Sequence, residues 1–293
     1  MPRYNNLKVG VAMGICAILI GLSAQDTQAA DSIRLCTGGK GGNYEFSGLT
    51  MKKMASDWEI EVLNTKGSWD NVQKIKKGEC DAAIVQEDAV MSFNRTENLQ
   101  VEPLADLYPE AFHLVCSPDS GIDDLTDLIG TTKKVALGKP GSGPWVSWRN
   151  LVEADERYGS VVTSTESGSR AASKVKQGLI DCFLAVSGVG SASLNRLDEK
   201  YGEDTVLVEV RDKDLQNHVG MAGGPLYRKS EIPEETYPHW TPDSWGDSSV
   251  ETVAVMAKLV VSADLGDDPI EAILMAVEDA LPTIHERVGY QSE

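Results

Sequence analysis

The sequence predicts an α/β fold of two lobes, each a mixed, mainly parallel sheet flanked by helices, with a cleft and a hinge between them. Three observations carry this expectation. Short β-type runs alternate with helical stretches, the alternation occurs twice around a connecting region, and a segment of the first half is echoed in the second.

The alternation starts at Ser32 with IRLC, FSGLTMKKMA, IEVLN, WDNVQKIKK and DAAIVQ. It resumes with KVALG, WVSWRNLVEADERYG, VVTST, AASKVKQG, CFLAVSG, SLNRLDEKYG and TVLVEV. The echo sets KIKKGECDAAIVQ, from Lys74, beside KVKQGLIDCFLAVS, from Lys174, and aligns Gly78 with Gly178 and Asp81 with Asp181. Each copy reads as a helix, a glycine cap and a buried strand. That connection is common in α/β folds, and the argument for a repeat is the matching place of each copy in its unit. Trp148, beside Leu151 and Val152, reads as core. After two complete units come a Pro-, Trp- and charge-rich stretch, the apolar VAVMAKLVV and the amphipathic PIEAILMAVEDALPTIHERV. A closing helix there suggests a return to the first lobe. The expected division is a signal peptide over 1–29, one lobe from 30–115 plus 225–293, and a second lobe over 116–224.

Export is read from the first segment. Arg3 and Lys8 precede an uncharged run, Val9 to Leu22, of about 14 residues, and the small pair Ala29-Ala30 follows. That run is shorter than the ~20 residues a spanning helix needs, and no later stretch is longer. Cleavage after Ala29 would release a soluble periplasmic protein, and Cys16, preceded by Met-Gly-Ile, makes a poor lipidation signal. Losing Arg3, Lys8 and Asp26 takes the formal charge from −18 to about −19. Nucleic acid is thereby excluded as a partner. Acidity does not exclude a small anionic ligand.

Four cysteines remain, Cys36, Cys80, Cys116 and Cys182, in or beside apolar strand-like runs. They are expected to be mostly small buried thiols, with three pairings open if any form. There is no CxxC, and His113, His218, His239 and His285 lack metal-site spacing, so no metal or cofactor is expected. The chain has neither a GxSxG nucleophile elbow nor a GxxxxGK[ST] phosphate loop. A binding protein is expected rather than an enzyme.

Three glycine loops each join a predicted strand to a predicted helix: TGGKGGNY from Thr37, TKGSWDN from Thr65 and GKPGSGP from Gly138. In open α/β sheets such loops form the ligand crevice. Glycine lets backbone amides approach a ligand, and the helix N-terminus behind each loop offers unpaired N–H groups and a field that favours anions. Ser68 and Pro144 also suit ordinary helix starts, so capping alone explains either one. Lys40, Lys66 and Lys139, one per loop, either focus positive potential on the cleft or simply solvate the turns.

At these loops the chain resembles the TAXI (TRAP-associated extracytoplasmic immunogenic) family of solute receptors, which have the two-lobed periplasmic binding-protein fold, type II-like. The matching residues are Thr37-Gly38-Gly39 with Gly42 and Tyr44, then Gly67-Ser68 with Asn71, and Gly78, Asp81, Gln86 and Asp88. They continue through LYPE at Leu107 to Glu110, PGSG at Pro140 to Gly143, Tyr237-Pro238 and VVSADL. The resemblance covers essentially the whole mature chain. It implies a monomeric receptor that captures a small anionic metabolite, an acidic amino acid or dicarboxylate, and delivers it to TRAP-type membrane transporter subunits. A sensor-kinase ectodomain is the alternative partner.

By position, the resemblance implies that Gly39, Tyr44, Gly67, Ser68, Gln86, Ser142, Gly143 and Ser187 face the ligand. Gln86 and Ser187 also end the two echoed strands. From the same loops and strand ends, Gly38, Gly42, Asn43, Asp88, Gly141 and Gly188 complete the expected site. Trp69 and Trp145 stand where the family carries smaller residues, and are expected as cleft walls or as packing. Glu45 replaces a second aromatic and Pro144 a threonine.

Overall fold

The computed structural model describes residues 32–56, 58–97, 101–221, 223–240 and 249–290. The expected signal peptide lies outside them. Among the described residues, no helix is long and apolar enough to cross a membrane.

The first unit runs β1 (Ser32–Cys36), α1 (Asn43–Met54), β2 (Glu59–Leu63), α2 (Ser68–Lys76), β3 (Ala82–Gln86) and α3 (Glu87–Thr96). After β4 (Val101–Cys116), the second runs β5 (Lys134–Ala136), α4 (Gly143–Ala154), β6 (Val162–Ser164), α5 (Gly168–Lys176), β7 (Cys182–Ser187), α6 (Ala192–Tyr201) and β8 (Val206–Val208). The chain closes with β9 (Tyr227–Pro233), β10 (Ser249–Ser262) and α7 (Asp267–Val288).

The echo is a structural repeat. α1 and α4, α2 and α5, and β3 and β7 begin one hundred positions apart. Both second helices end in the same way. Gly78 and Gly178 adopt φ of 67° and 66°, Glu79 N–H donates to Lys74 O, and Leu179 N–H donates to Lys174 O. This is the left-handed glycine stop of a Schellman motif, which a side chain at that position would strain. Asp81 then accepts from Arg34 N–H and Asp181 from Lys134 N–H, each at 2.8 Å, which sets the following strand against the first strand of its unit.

The strands form one sheet in the order β2-β1-β3-β10-β4-β7-β5-β6, with β8 on β4 and β9 on β10. Pairing is parallel within β2-β1-β3 and within β7-β5-β6. It is antiparallel where β4 and β10 join them. These two long strands are the only passages between the units among the described residues. Their mutual register shifts between Ala257 and Lys258 and again between Leu259 and Val260.

Burial follows the same division. Ile33, Leu35, Ile60, Ile84 and Leu259 pack with Met51 of α1 and with Ile273, Val277 and Ile284 of α7. Around the second unit, Phe112, Leu114, Trp148, Leu151 and Leu184 pack with Tyr227 and Val253. On its other face Ala171, Val175, Phe183 and Leu194 pack with Ile232, Tyr237, Trp240 and Val250. Trp148 is core, as its spacing predicts. β9 is registered along the first half of β10 (Ser249–Val255), and both pack on the second unit. A buried relay fixes this arrangement. Gly190 N–H donates to the Tyr237 hydroxyl, which donates to His113 Nε2, while Nδ1–H donates to Ala111 O. Burial pushes the His113 imidazole down to about 4, so the neutral ring is the one the fold holds.

The cysteines correct the expectation of free thiols: Cys36 pairs with Cys80 and Cys116 with Cys182. Cys116 and Cys182 are register partners of β4 and β7, and Cys36 ends β1 where Cys80 leads into β3. Strand register decides the pairing, and composition cannot supply it. Residues 66 positions apart are joined by the second bridge, which restricts the unfolded chain by about 4 kcal/mol. The double substitution Cys116→Ser/Cys182→Ser is expected to lower the melting temperature by roughly 10 °C. Unchanged melting on non-reducing calorimetry would show that the bridge does not form.

Candidate functional site

The repeat places the starts of α1, α2 and α4 and the ends of β3 and β7 around one cavity of about 220 Å³ between the units. Gly42, Gly67 and Ser142 are the N-caps of the three helices, and none makes a side-chain capping hydrogen bond. First-turn amides are therefore left for a guest, with the helix field favouring an anion. The loop glycines Gly38, Gly39 and Gly42, with Asn43 and Tyr44, line one wall. Gly67, Ser68 and Gln86 line the next, and Gly143 and Ser187 face them from the second unit.

Contacts cross the cavity. Asn43 Nδ2 lies 3.5 Å from Ser187 Oγ. A Cβ at Gly143 would fall 2.2 Å from Gln86 Oε1, so only glycine permits this approach. Gln86 is buried, and its Nε2 has no partner.

Six expected residues stand outside the lining. The Ser142 hydroxyl is spent inside its own loop, donating to Leu137 O at 3.0 Å. Gly141 packs against Trp69, and Gly188 lies so close to α7 that a Cβ would fall 2.9 Å from Val288 Cβ. Trp69 and Trp145 meet edge to face, with centroids 6.2 Å apart, behind the loops. Trp69 also packs on Phe93, and Arg149 stacks on Trp145. Asp88 is buried beneath the site, accepting from Ser147 Oγ at 2.6 Å and the Tyr227 hydroxyl at 2.9 Å. Lys40, Lys66 and Lys139 are exposed and do not line the cavity, which leaves them as solvating turn residues.

Four lining residues fall outside the expected set, Pro144, Val186, Ser193 and Glu110, and of these Glu110 alone is charged. It sits on β4 at the point where that strand crosses between the units, and it is 5% exposed. Tyr44 donates to its Oε2 at 2.7 Å. Behind Tyr44, Ser68 Oγ lies 3.4 Å from the phenol oxygen and accepts from Gln86 N–H at 2.9 Å. Burial pushes the Glu110 carboxyl up to about 8, the Tyr44 hydrogen bond opposes this, and the Asp88 charge adds to it. Burial likewise raises Asp88 to about 6 against its two hydroxyl donors. The available signals were its place at the end of the LYPE match and at the head of the apolar run AFHLVC. Among the described residues, no His, Cys, Asp and Glu cluster could hold a metal.

Two α/β units joined by a pair of crossing strands, with a polar cavity at their facing helix N-termini, define a two-lobed periplasmic binding-protein fold. Solved structures of that fold are similar over most of their length. An amino acid ABC transporter substrate-binding protein, AbpA from Streptococcus pneumoniae, bound to L-arginine, superposes with a TM-score of 0.53 at 9% identity, covering 88% of this chain and 93% of that one. The GluR0 ligand-binding core with L-glutamate gives 0.54 at 11% identity, over 89% and 98%. The periplasmic VFT2 domain of BvgS from Bordetella pertussis gives 0.51 at 12%, over 88% and 93%. The chain itself belongs to the NMT1-like family, which it matches over residues 35–290.

The Glu110 carboxyl ordinarily titrates near 4.5, so between about pH 4.5 and 8 the folded protein keeps a proton that the unfolded chain releases. The stability this contributes is present below that window and lost as pH rises through it. Glu110→Gln removes the loss. Its melting temperature relative to wild type is expected to be several degrees more favourable at pH 8 than at pH 5. His113 titrates in both proteins and cancels in this difference, while Asp88, whose charge acts on Glu110, is part of it. An equal difference at both pH values would mean that Glu110 ionises normally.

Proposed function

We propose that this chain is an extracytoplasmic solute-binding protein of the TAXI kind within the NMT1-like family. It captures a small anionic, amino-acid-like or dicarboxylate-like metabolite by hinge closure and hands it to a TRAP-type membrane transporter. The observation that carries this reading is the convergence of three uncapped helix N-termini, drawn from both units, on one cavity. The lobes of this reading divide near Glu110 on β4 and Val255 on β10, where the strands exchange partners. A cleaved leader over 1–29 would deliver the protein to the periplasm. Binding without turnover accords with a site built of backbone amides, hydroxyls, the side-chain amides of Asn43 and Gln86, and one carboxyl.

A sensory output on the same scaffold has one observation in its favour, the similarity to the periplasmic domain of BvgS. Neighbouring genes separate the two, TRAP membrane subunits supporting transport and a histidine kinase supporting sensing.

Ligand-stripped protein should show calorimetric heat and a raised melting temperature with at least one small carboxylate or amino acid. Gly143→Ala, which drives a methyl into Gln86, is expected to weaken that binding by about tenfold or more while moving the unliganded melting temperature by only a few degrees. Silence across a broad panel of both classes would overturn the reading. Undiminished affinity in Gly143→Ala would move the site elsewhere.

A further inference from the structure

Glu110 is a buried carboxyl inside a cavity otherwise suited to an anion, and among the described residues it has no basic partner. The groups facing it are Tyr44 from α1, Ser68 from α2, Asp88 from α3 and Tyr108 on its own strand, none of them cationic. Lys258, on the adjoining β10, is engaged by Asp106 and Glu87. Across the cavity stand Gly143, Pro144, Val186, Ser187 and Ser193, all uncharged. A buried carboxylate without a cation is costly, so the empty site favours its proton.

The hydrogen-bond network is nonetheless oriented for the charged form. Gln86 N–H donates to Ser68 Oγ, which leaves the Ser68 hydroxyl to donate to the phenol oxygen of Tyr44, and Tyr44 donates to Glu110 Oε2. Each donor points toward the carboxylate, and no described residue fills the remaining oxygen. A second group also waits for a guest, the buried and unpartnered Gln86 Nε2 in the same lining. The cavity of about 220 Å³ keeps the anion-seeking helix starts and the cation-seeking carboxylate within a few ångströms.

Resting on the proposed binding role, we infer that Glu110 is the specificity residue of this site and takes the ligand's ammonium group. The captured molecule is then a zwitterion with carboxylate and ammonium on the same carbon, an α-amino acid. The corresponding 2-oxo acid or dicarboxylate is discriminated against. Binding the ammonium displaces the Glu110 proton to solvent. Affinity therefore rises with pH until the empty site has ionised by itself, near 8.

The test titrates ligand-stripped protein with matched pairs, L-glutamate against 2-oxoglutarate and each other proteinogenic amino acid against its 2-oxo acid, in buffers of different ionisation enthalpy at pH 7. The expected result is one or more amino acids binding about 30-fold or more tighter than their partners, with release of close to one proton. Glu110→Gln, folded by its melting curve, should lose about 30-fold for the amino acid and stay within about threefold for the 2-oxo acid. Equal or tighter binding of the 2-oxo acids, or of glutarate, would overturn the ammonium subsite and leave the binding role standing. So would binding with no proton release or with slight uptake, which would make Glu110, already protonated at pH 7, a neutral donor to an anion. Failure of every acid and amino acid to bind would overturn both.

Discussion

Between the two parallel units the described chain passes only along β4 and β10, and the hydrogen bonds these strands exchange hold the halves in register. Each strand also serves both halves. β10 pairs with β3 through Ala257–Val261 and with β9 through Ser249–Val255, while β4 gives Ala111–Cys116 to β7. The register shifts at Ala257/Lys258 and Leu259/Val260 lie just past this change of partner, within the stretch paired with β3. A ladder interrupted there bends more readily than one of continuous bonds. Lys258, buried at the shift between Asp106 and Glu87, ties the crossing to the start of α3.

The site inherits its geometry from that crossing. The two units present their helix starts to each other because each is a copy of the same strand-loop-helix pattern placed on opposite sides of β4 and β10. Glu110 lies on the crossing itself, which is why the one carboxyl of the cavity belongs to neither repeat. Asp88, in the first turn of α3, links that helix to Ser147 of α4 and Tyr227 of β9, so the two units meet beneath the cavity as well as around it.

Much of this was legible in the sequence because glycine and aspartate mark positions of fixed conformation. Gly78 and Gly178 announced their helix ends, and Asp81 and Asp181 the strands that follow. The three glycine loops pointed to the cavity because their chemistry is local. What stayed hidden depends on register and burial. The disulfides require knowing that Cys116 lies opposite Cys182. The place of residues 227–255 requires knowing which half of β10 they accompany. Glu110 looked like any acid at a strand edge, since only the fold removes it from water and withholds a cation. Trp69 and Trp145 were visible as unusual, but spacing could not show that they would meet each other.

Closure about β4 and β10 is the central claim, and solution X-ray scattering tests it most directly. The ligand-stripped protein should contract when it is titrated to calorimetric saturation, giving a smaller radius of gyration. Identical scattering from the stripped and the saturated protein would contradict it, because a ligand held between two lobes cannot enter and become enclosed without their moving.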